Sequence, residues 1–346
     1  MKKNFLIIHV SSPMAFLAML SDLKFNKINY DKVLVFWTGK NDFPKSIMRD
    51  LDINYEFMTI YFFKDYKFNK IKKYIEFSRF LKKFTKEKFE YYLYTHFNEG
   101  FFYELIKDRL NIKKENVYLF SDGFETYLVK KRKIKEYLKS IFMLLFNIKF
   151  NQSKFLLSFS DNIINLKVIA PELLQKKDNK KHIYNINKIF HKGHHTITKK
   201  TDFSFIKNNS ALLLTTHSVE SNRLSISEYT YIVKKIIFKL QKLGIKNIYF
   251  KMHHGEKLSF KRNYYLSLGL YELNSNIPAE IYVACPKFVV LATPYSSAIL
   301  VCYGLGIYKN IKTIISYSTP KRENSNIKEN LIEKVIRKMK VEHVRI

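Results

Sequence analysis

Cysteine is almost missing from this chain of 346 residues, which holds only Cys285 and Cys302. Two thiols cannot build the disulfide framework of a small secreted domain, and they do not sit at zinc spacing, so the expected compartment is a reducing cytoplasm. Glycine and proline are scarce too, at 9 and 7 residues beside 47% apolar residues, which excludes a collagen-like or disordered chain and leaves a globular one. No apolar run reaches the ~20 residues of a membrane span. The run from Phe5 to Val10 after Met1-Lys2-Lys3 is short and lacks a small-residue cleavage site, so a first buried strand is expected there rather than a signal peptide. Acidic residues are also few, 30 against 61 Lys and Arg, for a net charge of +31. That balance favours an anionic partner: nucleic acid, a phospholipid surface or an acidic substrate. The lysines, however, accompany abundant Asn, Ile, Tyr and Phe, a pattern that AT-rich coding also produces, so the charge alone is not specific.

What is present reads as two domains of ordinary size. Strand-like runs at Phe5–Val10, Val33–Trp37, Tyr55–Phe62, Tyr91–Tyr94 and Val117–Phe120 alternate with Lys-rich helical stretches such as Asn69–Lys86. Ser11-Ser12-Pro13 starts a helix. From Gln175 to Asn209 the periodicity fades, and an irregular connection containing the domain boundary is expected. Alternation resumes with strands at Ala211–Leu214, Asn247–Lys251, Phe288–Ala292 and a final one at Thr313–Tyr317. The intervening helices are Ser227–Leu243, ended by Gly244, and Ser296–Tyr303, ended by Gly304; Ile327–Lys340, capped by Asn326, closes the chain. The expectation is an α/β protein: residues 1–205 form one Rossmann-like domain, 206–325 a second, and 326–346 a C-terminal helix and tail.

Ligands of open parallel sheets bind beyond the carboxyl ends of the strands, so the residues that follow each strand are the candidates. Asp122-Gly123, with Glu125 nearby, follows the fifth strand and suits a general base for a sugar hydroxyl, or equally a helix-capping turn. Lys251-Met252-His253-His254-Gly255-Glu256 offers a proton donor and a positive charge to a leaving phosphate; taken alone it also fits a polar surface loop. Thr293-Pro294-Tyr295-Ser296-Ser297-Ala298 opens a helix with two hydroxyls, which suits an anion or simple capping. Thr215-Thr216-His217-Ser218 follows the first strand of the second half. Asp50-Leu51-Asp52 lies between a helix and a strand and is not assigned a metal. Lys130-Lys131-Arg132-Lys133 and Lys135 precede the apolar stretch Tyr137–Phe150, and the pair is expected to dock on an anionic membrane leaflet or to form a core helix with a solvated basic end.

The order of these pieces resembles the bacterial sialyltransferases, closest to glycosyltransferase family 52 and the related polysialyltransferases. An acidic-Gly motif, a His-Pro motif and paired serines are matched here by Asp122-Gly123, Lys251-Met252-His253 and Ser296-Ser297. Leu213–Tyr229 resembles the family's entry into the second domain, and Ser12-Pro13 its small-residue turn after the first strand. Ile277-Pro278-Ala279-Glu280 resembles its short helix that carries a carboxylate for the donor ribose. Three departures stand out: His254 replaces the Pro, Ser121 stands where the family often has a second acid, and the segment with His191, His194 and His195 has no counterpart.

The resemblance implies a GT-B fold, two Rossmann-like domains with parallel sheets facing across a cleft. It implies an inverting, metal-independent transfer of sialic acid, or another nonulosonic acid, from a CMP-sugar to a lipid-linked lipooligosaccharide or capsule glycan. Glu280 would hold the ribose, Ser296 and Ser297 the phosphate, and Thr216, His217 and Ser218 the cytidine, with Lys251 adding charge. His253 would assist the departing CMP and Asp122 would deprotonate the acceptor, beside Gly123, Glu125, Ser12, His96 and Asn98. No cofactor is implied, since the CMP-sugar is a substrate, and the expected location is the cytoplasm or the face of the inner membrane. Legionaminic, pseudaminic or Kdo transfer and processive polysialylation remain alternatives, as does an inactive relative. A basic nucleic-acid-binding protein is the reading of a different class. It lacks a recognisable binding module, because the Tyr and Phe residues fall at core-like positions.

Overall fold

The computed structural model describes residues 3–27, 29–38, 43–53, 58–62, 70–86, 88–96, 101–121, 127, 163–174, 180–253, 256, 259–294, 296–317 and 325–346. The chain divides into two compact units, Met1–Thr196 and Ile197–Ile346. Each is a parallel sheet with helical connections, so both faces of most strands are covered and the strands read as continuous apolar runs.

Unit 1 contains β1 (Lys3–Val10), α1 (Pro13–Phe25), β2 (Lys32–Trp37), α2 (Phe43–Asp50), β3 (Met58–Phe62), α3 (Lys70–Lys82), β4 (Phe89–Thr95), α4 (Phe101–Arg109), β5 (Val117–Phe120), β6 (Asn165–Val168), β7 (His182–Asn185) and the greater part of α5 (Asn187–Lys200), which runs across the boundary into unit 2. The strand order is β3-β2-β1-β4-β5-β6-β7, all parallel. One sheet face packs Phe5 and Ile7 against Phe77 and Leu81 of α3 and Phe102 and Ile106 of α4. Helix α1 is buried from Met14 to Leu23 with no polar stripe, as expected of a helix enclosed on all sides. Ser12 caps it by accepting from the Ala15 amide, and Pro13 occupies the first turn. Inside, the Asp22 carboxylate accepts from Lys167 Nζ on β6 and from Tyr94 Oη on β4 (2.9 Å), tying the helix to the sheet. Trp37, the only tryptophan, is fully buried at the end of β2 with its ring 5.9 Å from that of Phe16.

Unit 2 contains β8 (Ser210–Leu214), α6 (Ile226–Lys242), β9 (Asn247–Lys251), α7 (Ser259–Ser267), β10 (Tyr271–Glu272), α8 (Ala279–Val283), β11 (Phe288–Pro294), α9 (Ser297–Leu305), β12 (Thr313–Tyr317), α10 (Ser325–Met339) and β13 (Glu342–Arg345). Its order is β10-β9-β8-β11-β12-β13, again parallel throughout. A capping box starts α6: Ser225 Oγ accepts from the Glu228 amide while Glu228 Oε2 accepts from the Ser225 amide. The helix buries Tyr229, Val233, Ile236 and Leu240 against the sheet and ends before Gly244, which adopts φ +70°.

The structure corrects four expectations. The stretch 175–209 is not irregular throughout, since it contains β7 and α5. Its helical period was hidden because the buried positions of α5 are Phe190, Gly193, His194 and Ile197, two of which do not look like core residues. Thr313–Tyr317 is not the final strand, because Glu342–Arg345 adds β13 beside it. Gly304 is buried within α9, and the helix is ended by Gly306 at φ +65°. Asn326 lies inside α10 rather than capping it.

Gly193 marks a close contact between α5 and α1. A Cβ at this position would lie 1.9 Å from Ser21 Oγ and 2.9 Å from Ser21 Cβ on α1. Gly193→Ala should therefore destabilise the protein by about 1–3 kcal/mol, although alanine is the better helix former. Urea unfolding checks this, and unchanged or increased stability would contradict the contact.

Candidate functional site

Each sheet has a point where the chain reverses its direction of travel, and such points flank ligand crevices in open α/β sheets. In unit 2 the reversal lies between β8 and β11. Pairing of Leu214 with Lys251 and of Leu213 with Ala292 sets three carboxyl ends side by side. The segments Thr215–Ser218 and Lys251–His253, and Thr293 and Pro294 at the end of β11, therefore lie at the same end of the sheet.

A buried polar network fixes the first two. The amide of His253 donates to Glu256 Oε2 (2.7 Å) and lies 3.0 Å from Thr215 Oγ1, and that hydroxyl donates to the same carboxylate oxygen in a short bond. The other oxygen, Glu256 Oε1, accepts from Lys261 Nζ at 3.0 Å. Lys261, on α7, is fully buried and also donates to the Thr216 carbonyl (2.8 Å) and to Glu220 Oε2 (2.9 Å). An ammonium has three protons, and here each has an oxygen acceptor. Its Nζ also lies 4.3 Å from the centre of the Tyr229 ring. Burial raises the Glu256 carboxyl above the usual carboxylate range, opposed by the Thr215 hydroxyl and the charge of Lys261.

On this frame the rings of His217 and His253 stack, with centroids 4.5 Å apart and planes inclined by 21°. Ser218 is completely buried, and its Oγ has no hydrogen-bond partner among the described residues. Lys251 is buried, with Nζ donating to the Ser275 carbonyl at 2.9 Å. Burial lowers it from 10.5 to about 8, with the carboxylates of Glu280 and Glu256 opposing the shift. Glu280 sits in the first turn of the short helix α8 and is half-buried. Ser296 caps α9 through the Ala298 amide (3.2 Å), and Ser297 is the first residue of that helix.

In unit 1 the reversal lies between β1 and β4, where Ser11 Oγ and His96 Nε2 meet at 3.1 Å. Burial pushes both His9 and His96 down to about 3, so these imidazoles are neutral at physiological pH. Ser12 serves as the α1 cap. Asn98, Asp122, Gly123 and Glu125 lie outside the described residues, as do His254 and the 130–150 stretch. Ser121 is described: its Oγ donates to Tyr127 Oη at 3.0 Å.

Thr215, Glu220, Glu256 and Lys261 were not picked out from the sequence as a unit. In a chain with 61 basic residues, nothing local marks one lysine as buried.

No protein-family model matches the chain, and no curated protein matches it in sequence. Solved structures do match in fold. The S. aureus MnaA–UDP structure aligns at a TM-score of 0.54 with 11% identity, over 98% of this chain and 88% of that one. A UDP-N-acetylglucosamine 2-epimerase structure gives the same TM-score and identity over the same shares. MurG of Acinetobacter baumannii aligns at 0.44 with 10% identity, over 99% of this chain and 86% of that one. The fold is of the GT-B type. At these identities the likeness extends to the GT-B architecture of two Rossmann-like units and no further.

Two outcomes are expected of the frame. Lys261→Met leaves the buried Glu256 carboxylate uncompensated and should cost about 3–5 kcal/mol in urea unfolding; a loss below about 1 kcal/mol would contradict the network. Lys251 loses its proton near pH 8 in the folded chain and near 10.5 when unfolded. The unfolded chain therefore binds more protons between these values, and the contribution of Lys251 to stability rises with pH across that window. Comparing wild type with Lys251→Met should show this rise, on the order of 2–3 kcal/mol, only in wild type. Parallel curves would count against a depressed amine.

Proposed function

We propose that the chain is an inverting glycosyltransferase that moves a nonulosonic acid, sialic acid foremost, from a CMP-linked donor to a glycan acceptor. The observation that carries this reading is the convergence at one sheet end of Thr215–Ser218, Lys251–His253 and Ser296. These are the segments whose order along the chain resembles the sialyltransferases. In this reading unit 2 takes the donor and unit 1 the acceptor.

The frame suits a leaving nucleotide monophosphate. Ser296 and Ser297 begin α9, where free amide groups favour an anion. Lys251 supplies positive charge at neutral pH, and Glu280 accepts from the ribose hydroxyls. The backbone of His253 is clamped by Glu256 and Thr215, so its ring is held ready to donate to the departing phosphate. The acceptor hydroxyl attacks the anomeric carbon as the bond to the CMP oxygen breaks, and its proton passes to Asp122. The charge on the departing monophosphate is met by His253, Lys251 and the helix amides, which is why this reading calls for no divalent cation. The acceptor in this reading is a lipid-linked lipooligosaccharide or capsule glycan at the inner membrane.

The fold likeness to MnaA with UDP favours a second reading, an enzyme acting on a UDP-sugar. Calorimetry with CMP and UDP, together with CMP release from CMP-Neu5Ac on galactoside and sialoside acceptors, separates the two. The expected result is preference for CMP and acceptor-dependent release, reduced about 10²–10⁴-fold in His253→Ala and Asp122→Ala. Transfer to sialosides identifies a polysialyltransferase. CMP binding without release from this donor directs the assay to the CMP-linked legionaminic, pseudaminic and Kdo donors. Tighter binding of UDP than of CMP, or no CMP binding, would sink the proposal.

A further inference from the structure

Helix α6 carries a second, outward stripe that the donor site does not use. Tyr231, Lys235, Phe238 and Lys242 follow one another at intervals of four, three and four residues, which aligns them along one side of the helix. They lie opposite the buried face formed by Tyr229, Val233, Ile236 and Leu240. Tyr231 is 60% exposed and Phe238 58%, two large aromatic side chains left in water about 10 Å apart along the axis. Lys234 flanks them, and Lys246 lies exposed just past the helix end. The helix holds four lysines against one carboxylate, and that carboxylate, Glu228, is engaged in the capping box.

Single exposed aromatics need no explanation, but two in register and bracketed by cations form a pattern with a physical use. At a membrane surface, aromatic rings settle at the boundary between headgroups and acyl chains. Lysine stems extend alongside while their ammonium groups stay with anionic phosphates. Each ring has a lysine beside it: Lys235 Nζ lies 4.6 Å from the Tyr231 ring centre, and Lys242 Nζ 4.4 Å from that of Phe238, so cation and ring would reach the same stretch of headgroups. Single-stranded nucleic acid would be met by a row of stacking rings along a groove, and this helix face carries just two rings, about 10 Å apart, with a lysine Nζ near each. We infer that this face of α6 docks on an anionic phospholipid bilayer. The site is separate from the proposed donor site and does not depend on it.

The test is flotation of the full chain with phosphatidylcholine vesicles, with and without one-quarter phosphatidylglycerol. Wild type should float with the anionic vesicles, fail with the neutral ones, and be released by salt. Changing Lys234, Lys235 and Lys242 to Gln should weaken binding about fivefold per lysine, on the order of a hundredfold together. The same change at Lys334, Lys338 and Lys340, exposed on and beside α10, should matter far less. Tyr231→Ser and Phe238→Ser should each cost about tenfold. In Phe238→Trp, anionic vesicles should shift the new emission to the blue, against a native tryptophan that is already buried. The inference is overturned by equal losses from the two lysine sets, which would mean diffuse attraction of a +31 chain. It is also overturned by unchanged binding of the serine variants, by absence of the emission shift, or by losses confined to duplex DNA binding.

Discussion

One ammonium group organises the end of the second sheet. Lys261 Nζ holds the Thr216 carbonyl, the Glu220 carboxylate and the Glu256 carboxylate at 2.8–3.0 Å. It thereby fastens the loop after β8 to the loop after β9. Burying a charge is costly unless its bonding capacity is filled, and here it is filled three times. The benefit is geometric: Glu256 is oriented so that its second oxygen holds the amide of His253, and the two histidine rings stack where the loops meet. A ring carried by a loop fixed in this way loses little entropy when a ligand arrives.

The two units solve the same problem differently at their reversal points. In unit 2 the loops are held by charged groups, and the amine that follows β9, Lys251, is partly depressed by burial. In unit 1 the meeting residues are Ser11 and a neutral His96, with a second neutral imidazole, His9, close by. At the reversal points themselves, the charged groups among the described residues therefore stand in unit 2, whereas the buried ion pair of unit 1, Asp22 with Lys167, ties α1 to the sheet.

Most of the architecture was legible because parallel strands buried on both faces appear as short apolar runs. Val117–Phe120, Asn247–Lys251 and Thr313–Tyr317 begin and end where the sequence suggested. What escaped notice has a common cause: polar or small residues in buried places. Strand β6 carries Lys167 in its middle, hidden by its pairing with Asp22. Helix α5 places Gly193 and His194 where a period reader looks for Leu or Ile. Glu256 and Lys261 read as solvated charges because burial is a property of the assembled loops, not of their neighbours in the chain. The candidate site was legible as an order of motifs, whereas the network that fixes those motifs was not.

The placement of Trp37 at the end of β2, packed against Phe16, has a spectroscopic consequence. The chain has one indole, and it belongs to unit 1. Its emission reports the melting of that unit and is blind to the other, whereas the far-ultraviolet circular dichroism sums the helices of both. Recorded on one sample, the two signals weigh the units differently. Any gap between their transitions is then a direct measure of how far the two halves unfold independently.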